Sequence, residues 1–250
     1  MKNLCIDIGN TFIKLYLVEK PDKVTLLERM PEWNEDFKIL AQYIEKHELT
    51  QGILSSVRHT NTALLDFLQN QLTYFINLSP DTPIPINNQY EQPQTLGKDR
   101  LGGVVAANHL FPNKNCLYIS AGTCITYDFI DHTGKYWGGS IAPGMYLRFK
   151  SLNDYTDKLP FVKPQQLEDF IGTTTEKSIL TGVIEGFIAE IDGRIQQYEA
   201  RFGQIQALIT GGDALFFEKK LKNEIFAHPN LLPIGLNKIL EYNILSLWND

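Results

Sequence analysis

The sequence predicts an α/β protein made of two similar halves, with a ligand cleft between them. One observation is a repeated strand–turn–strand pattern: CIDIGNTFIKL at residues 5–15 returns as YISAGTCITYD at residues 118–128. The other is that each copy leads through a third strand into segments with helical periodicity. Helices formed by such segments pack against a sheet in each half, and ligands commonly bind in the crevice between two halves.

The first half begins with three predicted strands, LCIDIG, FIKLYLVE and KVTLLERM. The first two flank the turn Gly9–Thr11, which is typical of a hairpin. Residues 34–48 carry an apolar stripe at helical spacing and have Asn34 as a possible N-cap. The segment GILSSV is then a buried strand, and residues 61–72 form a second helix capped by Asn61.

The remainder of the first half is a loop and a helix. Residues 79–94 are polar and broken by prolines, which predicts a loop without regular structure. A helix then covers KDRLGGVVAANHLF and ends before Pro112, because the residue before a proline disfavours helical backbone. We therefore expect two domains, at residues 1–113 and 114–250.

The second half repeats the meander of three strands in CLYISAG, CITYDFID and KYWGGSI, with turns at Gly122 and at residues 132–134. A long helix follows, opened by a capping box from Thr173 to Glu176 and closed near Gly203. The segment IQALITGGDA is a strand that ends in glycines, and another helix is expected after it.

Charge and composition restrict the possible functions. The net charge of −6 argues against a nucleic-acid partner, which would require a basic surface. No apolar run is long enough to span a bilayer and no signal peptide is recognisable, so a cytoplasmic protein is expected. The three cysteines lie in predicted strands and should be buried and reduced. The basic run EKKLKNE at residues 218–224 should be a solvated helix face.

The two hairpins have the composition of phosphate-binding turns. Gly9 allows a ligand to approach the backbone closely, and successive N–H groups of such a turn attract anions. Asp7 could hold a hydrated Mg²⁺ beside a polyphosphate. The alternative is a tight hairpin with a surface aspartate. The second copy, Gly122-Thr123, favours the phosphate interpretation, because two facing hairpins can clamp one triphosphate.

Two further motifs carry polar chemistry. In GKDR, at the start of a helix, Asp99 could act as a general base and Arg100 could bind a carboxylate or phosphate. Asp99 could equally serve the helix dipole alone. The motif TGGDA leads from strand to helix, where nucleotides often dock, although it could be a packing turn. Walker, dinucleotide-binding and protein-kinase motifs are absent from the sequence.

In order along the chain, DIGNT, SSV, GKDRLGGVVAA, AGTCITYDFID, GKYWGGSIAPG, TEKSILTG and ITGGDA resemble the type III pantothenate kinases. This family belongs to the acetate and sugar kinase, Hsp70 and actin superfamily. The resemblance implies two ribonuclease-H-like (actin-like ATPase) domains with a central cleft, and a homodimer. It also implies ATP-dependent phosphorylation of pantothenate, the first step of coenzyme A biosynthesis.

The resemblance also implies roles for individual residues. Asp99 would be the general base, Asp7 would hold the Mg²⁺ that accompanies ATP, and Thr123 would contact the phosphates from the second hairpin. Besides Asp99, the pantothenate site would include Tyr90, Gly97, Lys98, Arg100 and Thr175. The ATP phosphate loop would comprise Asp7, Ile8, Gly9, Asn10, Thr11, Phe12, Ile13 and Lys14. Tyr90 could instead be a loop anchor, and Thr175 could simply bond the start of its helix.

Ser120 departs from the family pattern. The family usually carries an aspartate at this position, which helps to bind an activating K⁺ or NH₄⁺ ion, so the sequence places cation activation in doubt. Two other functions remain open: a non-catalytic ATP-binding relative with an accessory or regulatory role, and a small sugar or acetate kinase. Retention of Asp7, Asp99, Arg100 and Thr123 favours the pantothenate kinase.

Overall fold

The computed structural model describes residues 2–33, 37–167 and 169–247. The chain forms two compact units. Unit 1 comprises Met1–Pro112, Gly134–Trp137 and Asn230–Asp250, and unit 2 comprises Asn113–Thr133 and Gly138–Pro229. The carboxyl-terminal segment thus packs with the first unit. The predicted cleft and the domain boundary at residue 113 stay predictions.

Unit 1 contains a five-stranded sheet in the order β3-β2-β1-β4-β5. The first three strands are antiparallel, and β4 and β5 run parallel to β1. The strands are β1 (Lys2–Ile8), β2 (Ile13–Glu19), β3 (Lys23–Met30), β4 (Gln51–Ser56) and β5 (Tyr74–Asn77). The helices are α1 (Lys38–His47), α2 (Thr62–Gln71), α3 (Lys98–Leu110) and α7 (Leu231–Ser246).

Both faces of this sheet are covered, which explains why β1 is buried from its second residue to its last. Leu4 and Ile6 point to one face, where they pack with Leu40 and Leu68 of α1 and α2. Cys5 points to the other face, in a cluster that includes residues of α3 and α7. The alternation of strand side chains therefore places successive residues of β1 in two different cores.

The second sheet has the order β11-β10-β7-β8-β9-β6. Its strands are β6 (Asn87–Asn88), β7 (Cys116–Ala121), β8 (Cys124–Ile130), β9 (Lys135–Pro143), β10 (Gln206–Thr210) and β11 (Phe226–Ala227). In unit 2, α4 (Met145–Asp154), α5 (Thr175–Phe202) and α6 (Ala214–Glu218) accompany it. The apolar face of α5 contributes Ile184, Phe187 and Ile191 to the core beneath β7, β8 and β10.

Most predicted elements are confirmed, including the cap of α2, where the side chain of Asn61 accepts a hydrogen bond from Ala63 N–H at 2.9 Å. Helix α1 begins at Lys38, and the cap predicted at Asn34 lies outside the described residues. Strands β5 and β11 and helices α4 and α7 were not predicted. No helix in the described part of the chain is long and apolar enough to cross a membrane.

Four predictions were wrong. The cap of α5 is Thr174, whose hydroxyl accepts from Lys177 N–H at 3.2 Å, so no box links Thr173 to Glu176. The run at 218–224 is not helical beyond its first residue, because α6 ends at Glu218. The segment 79–94 contains the two residues of β6, and a 3₁₀ turn begins within it. Cys124 is exposed at the start of β8, whereas the other two cysteines are buried.

Candidate active site

The first hairpin, between β1 and β2, presents an exposed tip above a buried carboxylate. Gly9 N–H donates to Phe12 O at 3.0 Å and closes the turn, which leaves Asn10 and Thr11 exposed at its tip. Asp7 pairs with Lys14 in the register of the two strands, so both side chains lie on the same face. The hairpin thus has an exposed backbone at its tip and, on the strands beside the turn, one acidic and one basic side chain.

Burial dominates the chemistry of Asp7. It is the largest cause and raises the pKa of this carboxyl to about 6. The positive charge of Lys14, and to a smaller extent that of Arg58, opposes the rise, whereas the negative charge of Asp99 adds to it. The Nζ of Lys14 is 3.9 Å from Oδ2 of Asp7. Asp99, at the start of α3, therefore affects the pKa of Asp7 in the first hairpin, although the two acids belong to different elements of unit 1.

The amino-terminal end of α3 fixes Asp99. Gly97 is the N-cap residue, and a Cβ there would come within 2.6 Å of Oδ1 of Asp99. The same Oδ1 accepts a hydrogen bond from the backbone N–H of Arg100 at 2.9 Å. Burial lowers the pKa of the neighbouring Lys98. The GKDR sequence therefore holds one carboxylate in a defined position at a helix start, where negative charge is also favoured.

Arg100 and Tyr90 lie together in unit 1. The guanidinium carbon of Arg100 is 5.5 Å from the centre of the Tyr90 ring. Tyr90 stacks in turn on Tyr136, with ring centres 6.3 Å apart and planes inclined by 5°. Arg100 is buried although it is charged. Unit 1 thus brings Tyr90 and the GKDR motif together, as a shared substrate site requires.

The second hairpin, between β7 and β8, is supported by two motifs from elsewhere in unit 2. Thr123 is exposed at its tip, and its carbonyl accepts a hydrogen bond from Gly144 N–H at 3.1 Å. Gly211 has φ +101, and a Cβ there would lie 2.1 Å from the carbonyl oxygen of Ala121. The IAPG and TGGDA motifs therefore both pack against the hairpin, and at Gly211 only glycine fits.

Ser120 lies in a row of hydroxyl side chains. It pairs with Thr126 across β7 and β8, and with Thr210 across β7 and β10. Directly paired residues project from the same face of a sheet. Thr126 Oγ1 is buried and has no hydrogen-bond partner among the described residues. The position thus offers neutral oxygens, and it lacks the carboxylate that the family resemblance led us to consider.

Thr175 is the first residue of α5 and lines a cavity of about 1240 Å³ in unit 2. Arg148 and Lys150 of α4 also line this cavity. Arg148 is held by Glu190, with 2.6 Å between Nη2 and Oε2. The predicted site residues therefore fall in two sets, with Thr175, Thr123 and Ser120 in unit 2 and the others in unit 1.

Sequence reasoning missed several residues around these turns. Arg58 donates from its Nε to the Gly9 carbonyl, Tyr136 supports Tyr90, and Gly144 supports Thr123. The last two belong to the GKYWGGSIAPG motif, which therefore could have indicated them. Arg58 directly follows SSV and carried no signal of its own, because its contact is with a residue 49 positions away.

Comparison with known proteins identifies the family. A family model described as type III pantothenate kinase matches residues 3–197. The chain belongs to this family. The type III pantothenate kinase of Phocaeicola vulgatus is 43% identical over 241 residues, covering 96% of this chain and 98% of that protein. That of Christiangramia forsetii is 41% identical, with 96% and 98% covered.

A solved structure agrees on the fold. Glucokinase from an Antarctic psychrotroph has a TM-score of 0.56 at 11% identity, and the match covers 96% of this chain and 99% of that one. An identity this low shows the fold alone. Together with the two mixed sheets, it confirms the predicted α/β fold of the actin-like ATPase class.

Type III pantothenate kinases use ATP with a divalent metal. Within residues 2–33, 37–167 and 169–247, no group of three His, Cys, Asp or Glu side chains forms a resident metal centre. The Asp7 carboxylate, buried at the foot of a turn, fits a single oxygen contact to such an ion or to its water. This donor set suits Mg²⁺, which usually keeps several waters and takes few protein ligands.

Proposed function

We propose that this protein transfers the γ-phosphoryl group of Mg·ATP to the primary hydroxyl of pantothenate, giving 4′-phosphopantothenate and ADP. The match to the family over nearly the whole chain carries this proposal. The electrostatics of unit 1 support it, because the negative charge of Asp99, in GKDR, contributes to the raised pKa of Asp7, in the first hairpin. The product is the first intermediate on the route to coenzyme A.

Each group has a role in this reaction. Phosphoryl transfer requires mainly positioning and charge neutralisation, which the hairpin N–H groups, Lys14 and the Mg²⁺ near Asp7 would provide. Asp99 would accept the proton of the attacking hydroxyl, as a general base. Arg100 would bind the pantothenate carboxylate, because its planar fork bonds both oxygens, and Tyr90 would pack beside it.

Two further roles concern unit 2. Thr123 would contact the phosphates, and Thr175 would contribute to pantothenate binding within a homodimer. The exposure of Thr123 at a turn that two glycine motifs support is compatible with contact to a nucleotide. The residues at position 120 and beside it do not fit a cation site that relies on a carboxylate, so we assign no K⁺ or NH₄⁺ ion to the reaction.

Measurement of ADP release tests the proposed function. The purified protein should release ADP from Mg·ATP with pantothenate, and not with a panel of sugars or with acetate. Release with a sugar or acetate alone would indicate the corresponding kinase. Binding of Mg·ATP without turnover of any acceptor would indicate the non-catalytic relative.

A further inference from the structure

Arg58 connects the loop after β4 to the turn of the first hairpin. Its Nε–H donates a hydrogen bond to the carbonyl oxygen of Gly9. The backbone N–H of Val57, one residue earlier, donates to the carbonyl of Ile8 at 3.0 Å. Two successive carbonyls at the end of β1 are therefore held by two successive residues from another part of unit 1.

Arg58 is itself held in place. Its backbone N–H donates to Oγ of Ser56 at 3.1 Å, and the Ser56 hydroxyl donates to the carbonyl of Arg58 at 2.8 Å. Ser56 is buried at the end of β4. This local turn fixes the backbone of Arg58, so part of the conformational entropy of this residue is lost on folding, before a ligand binds.

The contact to Gly9 fixes the direction of the following N–H. In a trans peptide the carbonyl and the N–H of the next residue point in opposite directions. With the Gly9 oxygen directed to the guanidinium, the N–H of Asn10 is directed away from it, at the exposed tip of the turn. Rotation of this peptide would instead present a carbonyl dipole, which repels phosphate.

We propose that Arg58 is a positioning residue of the ATP phosphate hairpin: it holds the Gly9 carbonyl inward, so that the Asn10 N–H is available to the triphosphate. This inference rests on the proposed use of the hairpin for ATP. It gives a function to a residue that acts through the backbone of its neighbour and does not contact the substrate.

Packing alone does not explain a guanidinium at this position. Nη2 of Arg58 is buried and, among the residues that the structure describes, makes no hydrogen bond. A buried donor without a partner destabilises a protein, and a hydrocarbon side chain would avoid that cost. What the guanidinium provides that a hydrocarbon cannot is the bond to the hairpin carbonyl and a positive charge.

A matched pair of variants separates the bond from the charge. Arg58→Met removes both but keeps most of the apolar stem. Arg29→Met removes another cation that contacts the same hairpin, because Arg29 lies on β3 and its guanidinium carbon is 3.7 Å from the centre of the Phe12 ring. We expect Arg58→Met to raise KM for Mg·ATP about tenfold or more, as for a lost hydrogen bond to a charged group, with KM for pantothenate changed less than about twofold. Arg29→Met should change KM for Mg·ATP less than about threefold.

A second variant covers the case in which Arg58→Met fails to fold. Arg58→Ala leaves space for a free guanidinium ion, and addition of guanidinium, but not of the same concentration of sodium, should recover part of the lost affinity for Mg·ATP. An unchanged KM for Mg·ATP in Arg58→Met would overturn the proposal. So would an equal loss in Arg29→Met, an equal rise in KM for pantothenate, or no recovery with guanidinium.

The experiment also separates this proposal from the proposed function. If the wild-type protein phosphorylates no pantothenate, the proposed function fails. Calorimetric titration of the same variants with Mg·ATP then measures nucleotide affinity directly. Weaker binding in Arg58→Met than in Arg29→Met would still support the positioning role, and equal binding would reject it.

Discussion

Lys14 Nζ lies 3.9 Å from Oδ2 of Asp7, at the limit of an ion pair, and this contact does not offset the burial of the carboxylate. The pKa of Asp7 consequently remains raised, at about 6. A buried carboxyl with a raised pKa, beside a turn with exposed backbone, is typical of a functional site.

The raised pKa predicts how the stability of the apo protein depends on pH. The folded state holds the Asp7 proton more tightly than the unfolded chain, so this contribution is full below pH 3.8 and is lost as pH rises through about 6. Asp7→Asn, which stays neutral, should gain stability relative to wild type over that interval, by up to about 3 kcal/mol. Urea unfolding of both proteins between pH 4.5 and 8, without nucleotide or metal, measures the difference; a difference independent of pH contradicts the prediction.

Asp99→Asn tests the general base. The variant should bind Mg·ATP and pantothenate nearly as wild type does, whereas kcat should fall about 100-fold or more, because the hydroxyl proton loses its acceptor. Asp66→Asn, at an exposed position on α2 of the same unit, is the matched acid-to-amide control and should keep wild-type kcat. An Asp99→Asn enzyme with more than about a third of wild-type turnover would remove Asp99 from this role.

The sequence predicted elements well where periodicity and capping coincide, as in α2 with its Asn61 cap. It missed α4, whose N-cap is Gly144 without a side-chain bond, because that glycine is selected by its contact with the second hairpin. The start of α5 was misplaced by one residue, since three consecutive threonines offer equivalent caps and only the structure distinguishes Thr174. Strand β6 is two residues long and depends on pairing with Lys135 and Tyr136, which no local pattern reveals.

The candidate site was predictable from the sequence only in its local motifs. Short motifs indicated Asp7, Asp99 and Thr123, because turn glycines and helix starts are local features. The effect of Asp99 on the pKa of Asp7, and the bond from Arg58 to the hairpin, join residues that are far apart in sequence. Such relationships follow from packing, and a single sequence does not contain them.

Gly235 provides a test of the packing in unit 1. A Cβ at this position of α7 would lie 1.7 Å from the carbonyl oxygen of Gly102 on α3, so the two backbones touch. Gly235→Ala should therefore lower the free energy of unfolding by about 2 kcal/mol or more, through overpacking against a backbone that cannot rotate away. Chemical denaturation measures this change.

Gly186→Ala is the matched control, because nothing lies within 4 Å of a Cβ at that position of α5. It should stabilise the protein by up to about 1 kcal/mol, as expected for alanine in place of glycine within a helix. If Gly235→Ala were as stable as Gly186→Ala, the close approach of α3 and α7 would be refuted.

The proposed homodimer predicts a concentration-dependent assembly. Light scattering of the active protein should give about twice the chain mass of 28.5 kDa. Dilution that dissociates the dimer should lower pantothenate phosphorylation, because we propose that Thr175 contributes to pantothenate binding within the homodimer. A fully active species with the mass of one chain would contradict both statements.

Ser120 leads to the last prediction, on monovalent cations. We propose that the ATP phosphates bind beside the second hairpin, and in that arrangement an aspartate at this position would add a negative charge that faces them, with a repulsion of about 1–4 kcal/mol at partly shielded separations. A bound cation would offset that charge. The serine hydroxyl, beside Thr126 and Thr210 in the sheet, leaves the region neutral without any cation. On this hypothesis, the serine removes acid and cation together and changes the field around the triphosphate little.

We accordingly expect kcat/KM for ATP to change less than about threefold when K⁺ is replaced by Na⁺ or Tris at constant ionic strength. Ser120→Asp should introduce dependence on K⁺, because the new carboxylate requires a counter-ion beside the phosphates. Thr126→Val serves as its control, since it alters the neighbouring position without adding charge and should leave the enzyme indifferent to K⁺. A wild-type enzyme that is nearly inert until K⁺ or NH₄⁺ is added would show that neutral oxygens alone hold the cation, and the charge-balance explanation would then be wrong.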